Sequence, residues 1–247
     1  MERNITRLAG KALYDHEMIQ EGDRVLVAVS GGKDSITLLH VLHLLQRSSP
    51  VAFELQAVTI HQGSMEQDTS ALEAHCSEHG YAYMVERVPI KEILQEKLQP
   101  GVIPCSLCSR IRRGALYSLA VKLGYTKIAL GHHLDDLLET LLLNLFYGGQ
   151  LRSMAPCFRS DDGRNTIIRP LAYVPEGRIM EYAARMAFPV TTCSTEGCDD
   201  NPGAKRQRMK ALISQLDLEV YGLRGNMLRA LKNVRGEHLL DPRFILG

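Results

Sequence analysis

Three short polar stretches in this chain carry residue types that do chemistry. They are SGGKDS (Ser30 to Ser35), GHHLDD (Gly131 to Asp136), and a Cys-x-x-Cys pair, Cys105 and Cys108, with three arginines after it. Glycine turns at helix starts bind phosphates, carboxylates bind Mg²⁺, and thiolates bind zinc or iron–sulfur clusters. Taken alone, the cysteine pair fits a redox couple, half of a zinc site or part of an iron–sulfur site.

The stretch SGGKDS has the composition of an anion-binding loop. Its two glycines follow a short apolar run and let the chain turn tightly, which directs backbone N–H groups towards one point beside a helix start. Lys33 adds a positive charge, and the hydroxyls of Ser30 and Ser35 add donors suited to a chain of phosphates. The spacing matches neither G-x-x-x-x-G-K-[ST] nor G-x-G-x-x-G. The alternative is a simple glycine turn before a helix.

The stretch GHHLDD places two histidines and two acids directly after a predicted strand. We expect Asp136 to hold Mg²⁺ against nucleotide phosphates, and Asp135 is an equally plausible N-cap of the following helix. Gly131 and His132 would then lie beside the phosphate loop. A His-His pair is otherwise more often structural.

A third cysteine completes a possible ligand set. Cys105 and Cys108 are three residues apart at a helix start and can face one point, and Cys193 in FPVTTC supplies a distant third thiolate. Cys198 lies five residues further on and could replace Cys193. Cys76 and Cys157 match no ligand position, and we expect them to be buried free thiols.

Alternating strands and helices must position these residues. The runs predicted as strands are Arg24 to Val29, Phe53 to Ile60, Tyr81 to Val88 and Lys127 to Leu130. Helical patterns separate them, which predicts an α/β, Rossmann-like, mostly parallel sheet with helices on both faces. Ligands in such folds bind outside the carboxyl ends of the strands, where Ser30 and Gly131 are both expected.

Composition limits the class of protein. The chain has 247 residues, 45% hydrophobic and 23% charged, and no apolar run approaches the length of a membrane span. Its N-terminus lacks the apolar segment of a signal peptide, and its six cysteines do not form a secreted framework, so we predict a cytoplasmic protein without membrane association. Between Pro202 and Arg243, nine Lys or Arg stand against four acids. This charge suits a polyanion, although solvated helices are the alternative.

The ordered motifs resemble those of a known family. SGGKDS resembles the SGGxDS pyrophosphate loop of the PP-loop ATP pyrophosphatases. The series SGGKDS, CSLCSRIRRGALY, KIALGHHLDDLLETLLLNLFYGG, SDDG, IIRPLAYV and FPVTTC is similar to that of the tRNA 2-thiocytidine synthetase (TtcA) family. The similarity covers the chain from about Leu26 to Cys193 and implies the adenine nucleotide alpha hydrolase-like fold. We therefore predict a PP-loop domain over 1–201, and a basic helical segment over 202–247 packed on the same domain.

The resemblance implies a reaction and a set of ligands. ATP would adenylate the oxygen at C2 of a cytosine in tRNA, and sulfur would then replace the adenylate. Cys105, Cys108 and Cys193 would hold a [4Fe–4S] cluster with one open iron. The family also implies Mg²⁺, a sulfur donor that is a cysteine desulfurase or free sulfide, and a homodimer. The residues expected to bind ATP or to assist the transfer are Ser30, Gly31, Gly32, Lys33, Asp34, Ser35, Gly131, His132, Asp136 and Arg113.

Some alternatives stay open at this point. Arg110 and Arg112 compete with Arg113 for a role near the nucleotide, and any of them could be a solvated charge. The chain has His61 after its second strand, where the family usually has an acid, and the role of His61 is open. The acceptor could be another tRNA base or a free heterocycle. Two further hypotheses involve different chemistry: a zinc-containing amidating enzyme of the PP-loop type, and a nucleotide-binding redox sensor.

Overall fold

The computed structural model describes residues 2–63, 68–97, 104–191, 202–241 and 243 of the chain. Cys193 and Cys198 lie outside the described residues, and so does the side chain of Cys105. In the described part of the chain no helix is long and apolar enough to cross a membrane.

The helices and strands alternate along the first two thirds of the chain, as their hydrophobic patterns predict. The elements are α1 (Glu2–Asp15), β1 (Asp23–Ala28), α2 (Lys33–Ser48), β2 (Phe53–His61), α3 (Ser70–Glu78), β3 (Tyr83–Arg87), α4 (Ile90–Lys97), α5 (Pro104–Leu123), β4 (Lys127–Ala129), α6 (Leu134–Tyr147), β5 (Cys157–Arg159), β6 (Thr166–Ile168), α7 (Glu176–Arg185), α8 (Pro202–Glu219) and α9 (Leu223–Lys232). Short 3₁₀ turns cover Pro170–Tyr173 and Gly236–His238.

The strands form one sheet in the order β3-β2-β1-β4-β6-β5. Every neighbouring pair is parallel except β5 and β6, which form an antiparallel hairpin at one edge. The chain moves outward in one direction from β1 to β3 and then returns to the other side of β1 with β4. Such a reversal opens a crevice at the carboxyl ends of β1 and β4, which is where ligands bind in this class of fold.

Apolar side chains on both faces of the sheet are buried. On one face, Leu26, Val58 and Ile128 belong to a core cluster with Leu116 and Leu119 of α5. Val25 and Val27 alternate with Leu26 along β1 and are also fully buried, and α2 contacts β1 and β2. The sheet is therefore covered on both faces, and the predicted α/β fold is confirmed.

The chain divides into two compact units. The first contains Met1–Leu134 and Ala155–Asp200, and includes the whole sheet. The second contains Asp135–Met154 and Asn201–Gly247, so it joins most of α6 to the C-terminal helices. The domain division at residue 201, expected from sequence, stays a prediction.

Candidate active site

The loop between β1 and α2 is held in shape by its two serines. The backbone N–H of Ser30 donates to Ser35 Oγ over 3.1 Å, and Ser35 Oγ donates to the carbonyl oxygen of Gly32 over 2.8 Å. α2 begins at Lys33, with Gly32 as its N-cap. The first N–H groups of a helix have no partner within the helix and carry the positive end of its dipole. The loop therefore presents an anion-binding surface, as expected from SGGKDS.

Gly31 occupies a position that no side chain fits. Its φ is +88°, and a Cβ there would lie 2.1 Å from Thr191 Oγ1. The backbone N–H of Thr191 donates to the carbonyl oxygen of Gly31 over 3.0 Å. Thr191 stands two residues before Cys193 in the sequence. The chain that leads to the proposed third cysteine is thus tied to the phosphate loop.

Charged side chains surround Lys33 next to this loop. Lys33 Nζ lies 3.1 Å from Asp34 Oδ1 and 3.2 Å from Glu176 Oε1, and His133 Nε2 lies 3.9 Å from Asp34 Oδ1. Burial lowers the pKa of Lys33, but the two carboxylates outweigh burial and raise the pKa above its usual value. Lys33 is therefore a fixed positive charge beside the helix start.

The second expected motif follows β4 at the same edge of the sheet. A Cβ on Gly131 would lie 3.1 Å from the carbonyl carbon of Asp34 and from the backbone nitrogen of Ser35, so the strand end abuts the phosphate loop. His132 comes next, and its Nδ1 accepts a hydrogen bond from Arg169 Nε over 3.2 Å. The structure thus brings Gly131 against the loop, as its position after a strand predicts, and His132 is the next residue in the chain.

The cysteine helix lies against the carboxyl end of β2. α5 begins at Pro104, so Cys105 and Cys108 belong to its first turns, and Cys108 Sγ lies 3.6 Å from Gln62 Oε1. Gln62 directly follows β2, the parallel neighbour of β1. A helix N-terminus favours the thiolate form of a cysteine.

The arginines after the cysteines have different surroundings. Arg113 is exposed, and its charge acts on Tyr117, whose pKa is raised by burial and partly lowered again by Arg113. Arg112 is half buried, and its Nε has no hydrogen-bond partner among the described residues. Since Arg112 stands four residues after Cys108, it lies on the cysteine side of α5. The burial of Arg112 singles it out as the stronger candidate for an anion near the cysteines.

These features fit ATP and a cysteine-bound cluster. The phosphate loop turns tightly at Gly31, where Thr191 leaves no room for a side chain, and Lys33 is the accompanying cation. Cys108 is half buried at the neighbouring strand end, where a soft metal group would be shielded from water.

The acids of α6 pair with arginines in the second unit. Asp135 Oδ1 accepts from Arg224 Nε over 2.8 Å, and Asp136 Oδ1 accepts from Arg206 Nη1 over 2.9 Å. Arg206 Nη1 also lies 3.6 Å from Oε2 of the buried Glu139. Within the described ranges no group of three or more His, Cys, Asp or Glu side chains is arranged for a metal ion. A magnesium ion on Asp136 would share this carboxylate with Arg206.

Comparisons with known proteins agree with this geometry. Residues 1–197 match the model of the PP-loop domain. A tRNA-cytidine(32) 2-sulfurtransferase from Syntrophotalea carbinolica is 48% identical over 97% of this chain and 92% of its own length, and one from Geobacter metallireducens is 46% identical over 97% and 93%. The chain belongs to this sulfurtransferase family of PP-loop proteins.

Two solved structures have a similar fold. The U34-tRNA thiolase NcsA from Methanococcus maripaludis, solved with its [4Fe–4S] cluster, superposes with a TM-score of 0.72 over 95% of this chain and 80% of its own, at 22% identity. An NH₃-dependent NAD synthetase from Campylobacter jejuni gives a TM-score of 0.51 at 15% identity, covering 100% of this chain and 91% of its own. At these identities the likeness concerns the fold, and the predicted fold family is confirmed.

The structure adds three residues to this family site that the sequence pattern did not reveal. Glu176 contacts Lys33, Arg169 contacts His132, and Thr191 contacts Gly31. Arg169 and Thr191 stand inside motifs that carry the resemblance, IIRPLAYV and FPVTTC, but nothing in their spacing indicates the contact. Glu176 opens α7, which lies between these two motifs in the sequence, and an acid there is also explained by the helix dipole.

Other residues named from sequence have structural surroundings. His61 is the last residue of β2 and is buried, and its Nδ1 accepts the backbone N–H of Gly63 over 3.1 Å. Cys76 is a buried free thiol whose pKa is raised by burial to about 11, as expected. Cys157 is free but only half buried, and burial also raises its pKa. Neither thiol has the lowered pKa of a reactive cysteine.

Proposed function

We propose that this protein is an ATP-dependent tRNA sulfurtransferase that converts cytidine, at the position its relatives' name gives as 32, to 2-thiocytidine. One structural observation carries the proposal. The phosphate loop, the cysteine helix and the chain leading to Cys193 meet at one edge of the sheet, through the contacts of Thr191 with Gly31 and of Cys108 with Gln62. This arrangement supports a single site for ATP and sulfur chemistry.

The first step is adenylation of the base. The oxygen at C2 of the cytosine attacks the α-phosphorus of ATP, the bond to the β-phosphate oxygen breaks, and pyrophosphate leaves. The N–H groups at the start of α2 and the ammonium group of Lys33 stabilise the charge that builds up on the leaving pyrophosphate. Asp34 acts through Lys33, which it holds at 3.1 Å.

The second step is substitution at C2. A sulfur nucleophile adds to the activated carbon, the C2–O bond breaks, and AMP leaves with the oxygen. We propose that Cys105, Cys108 and Cys193 hold a [4Fe–4S] cluster beside the nucleotide. When bound, such a cluster supplies an iron without a protein ligand, which can carry sulfur to the base. The half-buried position of Cys108 against Gln62 supports this assignment.

Further assignments belong to the same proposal. Asp136 is the proposed Mg²⁺ ligand, with Arg206 as its present partner, and Arg113 is proposed to meet the nucleotide together with Arg112. The sulfur donor is a cysteine desulfurase or free sulfide, and the protein is a homodimer. Because the reaction needs tRNA and ATP together, the proposed location is the cytoplasm.

Nucleoside analysis tests the substrate. Total tRNA from a deletion strain should lack 2-thiocytidine in mass spectrometry, and expression of the wild-type protein should restore it. Expression of Lys33→Ala should not, whereas the control Lys11→Ala changes a lysine of α1 that pairs with Asp15 at the surface and should restore it fully. Unchanged 2-thiocytidine in the deletion strain would overturn the assignment, and loss of a different thionucleoside would reassign the base.

A test in vitro separates the two steps. Anaerobically prepared protein with ATP, sulfide and unmodified tRNA should release AMP and pyrophosphate in step with 2-thiocytidine. Pyrophosphate release without thiolation would support the proposed adenylation step and contradict the proposed sulfur transfer under those conditions. A protein that binds ATP but releases no pyrophosphate would instead support the sensor hypothesis.

A further inference from the structure

Arg169 is one of the most firmly anchored charged residues of the first unit. It directly follows β6 and is only 8% exposed. Its backbone N–H donates to the carbonyl oxygen of Pro156 over 2.8 Å, and its Nη1 donates to the carbonyl oxygen of Ala155. Its guanidinium carbon lies 4.9 Å from the centroid of the Phe158 ring. The direction of its remaining N–H groups is therefore fixed by the hairpin of β5 and β6.

The bond from Arg169 to His132 determines where the imidazole proton sits. A guanidinium group has only donors, so Arg169 Nε can approach His132 Nδ1, at 3.2 Å, only when Nδ1 carries no proton. The proton of the neutral ring must then be on Nε2. A doubly protonated ring would place two N–H groups and two positive charges against each other.

His132 directly follows the residue at which the end of β4 meets the phosphate loop. On one side of His132 in the chain, Gly131 abuts the backbone of Asp34 and Ser35. On the other side, His133 has its Nε2 3.9 Å from Asp34 Oδ1. The Nε2–H form of His132 is thus attached to the strand end that borders the phosphate loop. Phosphate oxygens accept hydrogen bonds and gain charge during adenylation, so a fixed donor at this edge stabilises them.

We propose that Arg169 is a positioning residue that keeps His132 as its neutral Nε2–H tautomer, and that His132 in this form donates to a phosphate oxygen of the bound nucleotide. The proposal rests on the function proposed above for the ATP site. It gives Arg169 a role that its burial alone does not require, since the bonds to Ala155 and Pro156 suffice to hold the hairpin.

Nitrogen-15 NMR of the histidine rings tests the tautomer without any assay of activity. In the wild-type protein His132, assigned by the loss of its signals in His132→Gln, should show an unprotonated Nδ1 and a protonated Nε2. In Arg169→Met, which keeps the chain length but has no donor, the two tautomers should both be populated. A wild-type ring with a proton on Nδ1 would overturn the proposal, whether or not the protein thiolates tRNA.

Kinetics tests the consequence for catalysis. Arg169→Met should lower kcat for pyrophosphate release about tenfold or more, with the KM for tRNA unchanged. The control is Arg159→Met, which removes an exposed arginine from the same hairpin and should leave kcat unchanged. If Arg169→Met loses its fold by circular dichroism, Arg169→Lys, which retains a charge and a donor, takes its place and should lose less activity.

A double-mutant cycle separates positioning from support of the hairpin. The amide of His132→Gln offers a donor near the Nε2 position and has no tautomers, so Arg169→Met should cost little further activity in that background. A full additional loss in the double variant would show that Arg169 acts independently of His132 and would overturn the proposal. If the wild-type protein itself makes no 2-thiocytidine, the proposed function fails while the NMR result stands.

Discussion

Thr191 donates its backbone N–H to the carbonyl oxygen of Gly31 over 3.0 Å, and its Oγ1 fills the space that a side chain at position 31 would need. This single contact joins two motifs that are 160 residues apart in the sequence. It makes the shape of the phosphate loop depend on the segment that leads to Cys193.

Gly31→Ala should therefore weaken ATP binding by at least about tenfold, measured by calorimetry, because the methyl group meets Thr191 and the backbone has a φ of +88°. The double variant with Thr191→Ala removes the clash but not the strain of the positive φ, and should recover part of the affinity. Gly80→Ala is the control: Gly80 also has a positive φ of +67°, but open space lies around it. Wild-type affinity in Gly31→Ala would contradict this account of the loop.

Glu176→Ala should raise the KM for ATP by about fivefold to tenfold, with a smaller effect on kcat. The reason is that Lys33 loses the carboxylate at 3.2 Å, remains protonated at neutral pH, and is held only by Asp34. Glu181→Ala on the same helix removes an exposed acid that pairs with Arg178 at 3.5 Å, and should leave the KM unchanged. A lower KM in Glu176→Ala would mean that Glu176 competes with the phosphates for Lys33.

Alanine at Cys105, Cys108 or Cys193 should each abolish the iron content and the brown colour of anaerobically purified protein, since three thiolates are proposed to share the cluster. Cys157→Ala changes a free cysteine outside the proposed ligand set and should retain the full iron content. Cys198→Ala is the deciding variant. If it loses iron while Cys193→Ala keeps it, the third ligand is Cys198.

The second unit contains an exposed aromatic pair beside a lysine. Phe146 is 56% exposed and Tyr147 48%, and Lys205 Nζ lies 4.9 Å from the centroid of the Tyr147 ring. Unpaired bases of RNA stack on such rings next to basic side chains. This pair is therefore a candidate contact for the tRNA.

Replacing both Phe146 and Tyr147 by alanine should weaken tRNA binding about tenfold in fluorescence anisotropy, while ATP binding is retained. Tyr221→Ala is the matched control, because Tyr221 is fully exposed in the same unit and, among the described residues, no cation lies over its ring. Light scattering on the same samples measures the oligomeric state. Loss of a dimer with unchanged tRNA affinity would reassign the pair to contact between subunits.

A cluster of histidines packs against α7 in the first unit. The ring centroids of His75 and His79 are 4.2 Å apart, and those of His40 and His79 are 5.8 Å apart. His40 Nδ1 lies 2.7 Å from the hydroxyl oxygen of Tyr182. Burial lowers the pKa of His40 to about 4 and also lowers the pKa of His75.

Because the folded pKa of His40 is below the usual 6.5, the unfolded chain binds more protons between pH 6.5 and about 4. As the pH is lowered through this window, the contribution of His40 should reduce the free energy of unfolding by up to about 3 kcal/mol, as measured by urea denaturation; above the window this contribution is constant. His40→Gln should flatten this dependence, and the exposed His238→Gln should not. A slope unchanged by His40→Gln would assign the acid sensitivity to other groups.

Local patterns determined much of this protein. The alternation of apolar runs with helical periods is a property of neighbouring residues, and it predicted β1 to β4 and the helices between them. The composition of SGGKDS and its place after a strand predicted the phosphate loop for the same reason. The hairpin of β5 and β6 was not predicted, since each of its strands has only three residues and their pairing depends on the sheet edge that receives them.

Only the tertiary structure decided which distant side chains complete the site. The order of the strands brings late segments of the chain to the ends of β1 and β4. As a result, Glu176 contacts Lys33, Arg169 contacts His132, and Thr191 contacts Gly31. Each of these contacts joins residues more than 30 positions apart, so no spacing in the sequence encodes it. The sequence by itself determined which residue types stand in the phosphate loop and after β4, and packing against the sheet determined which side chains contact them.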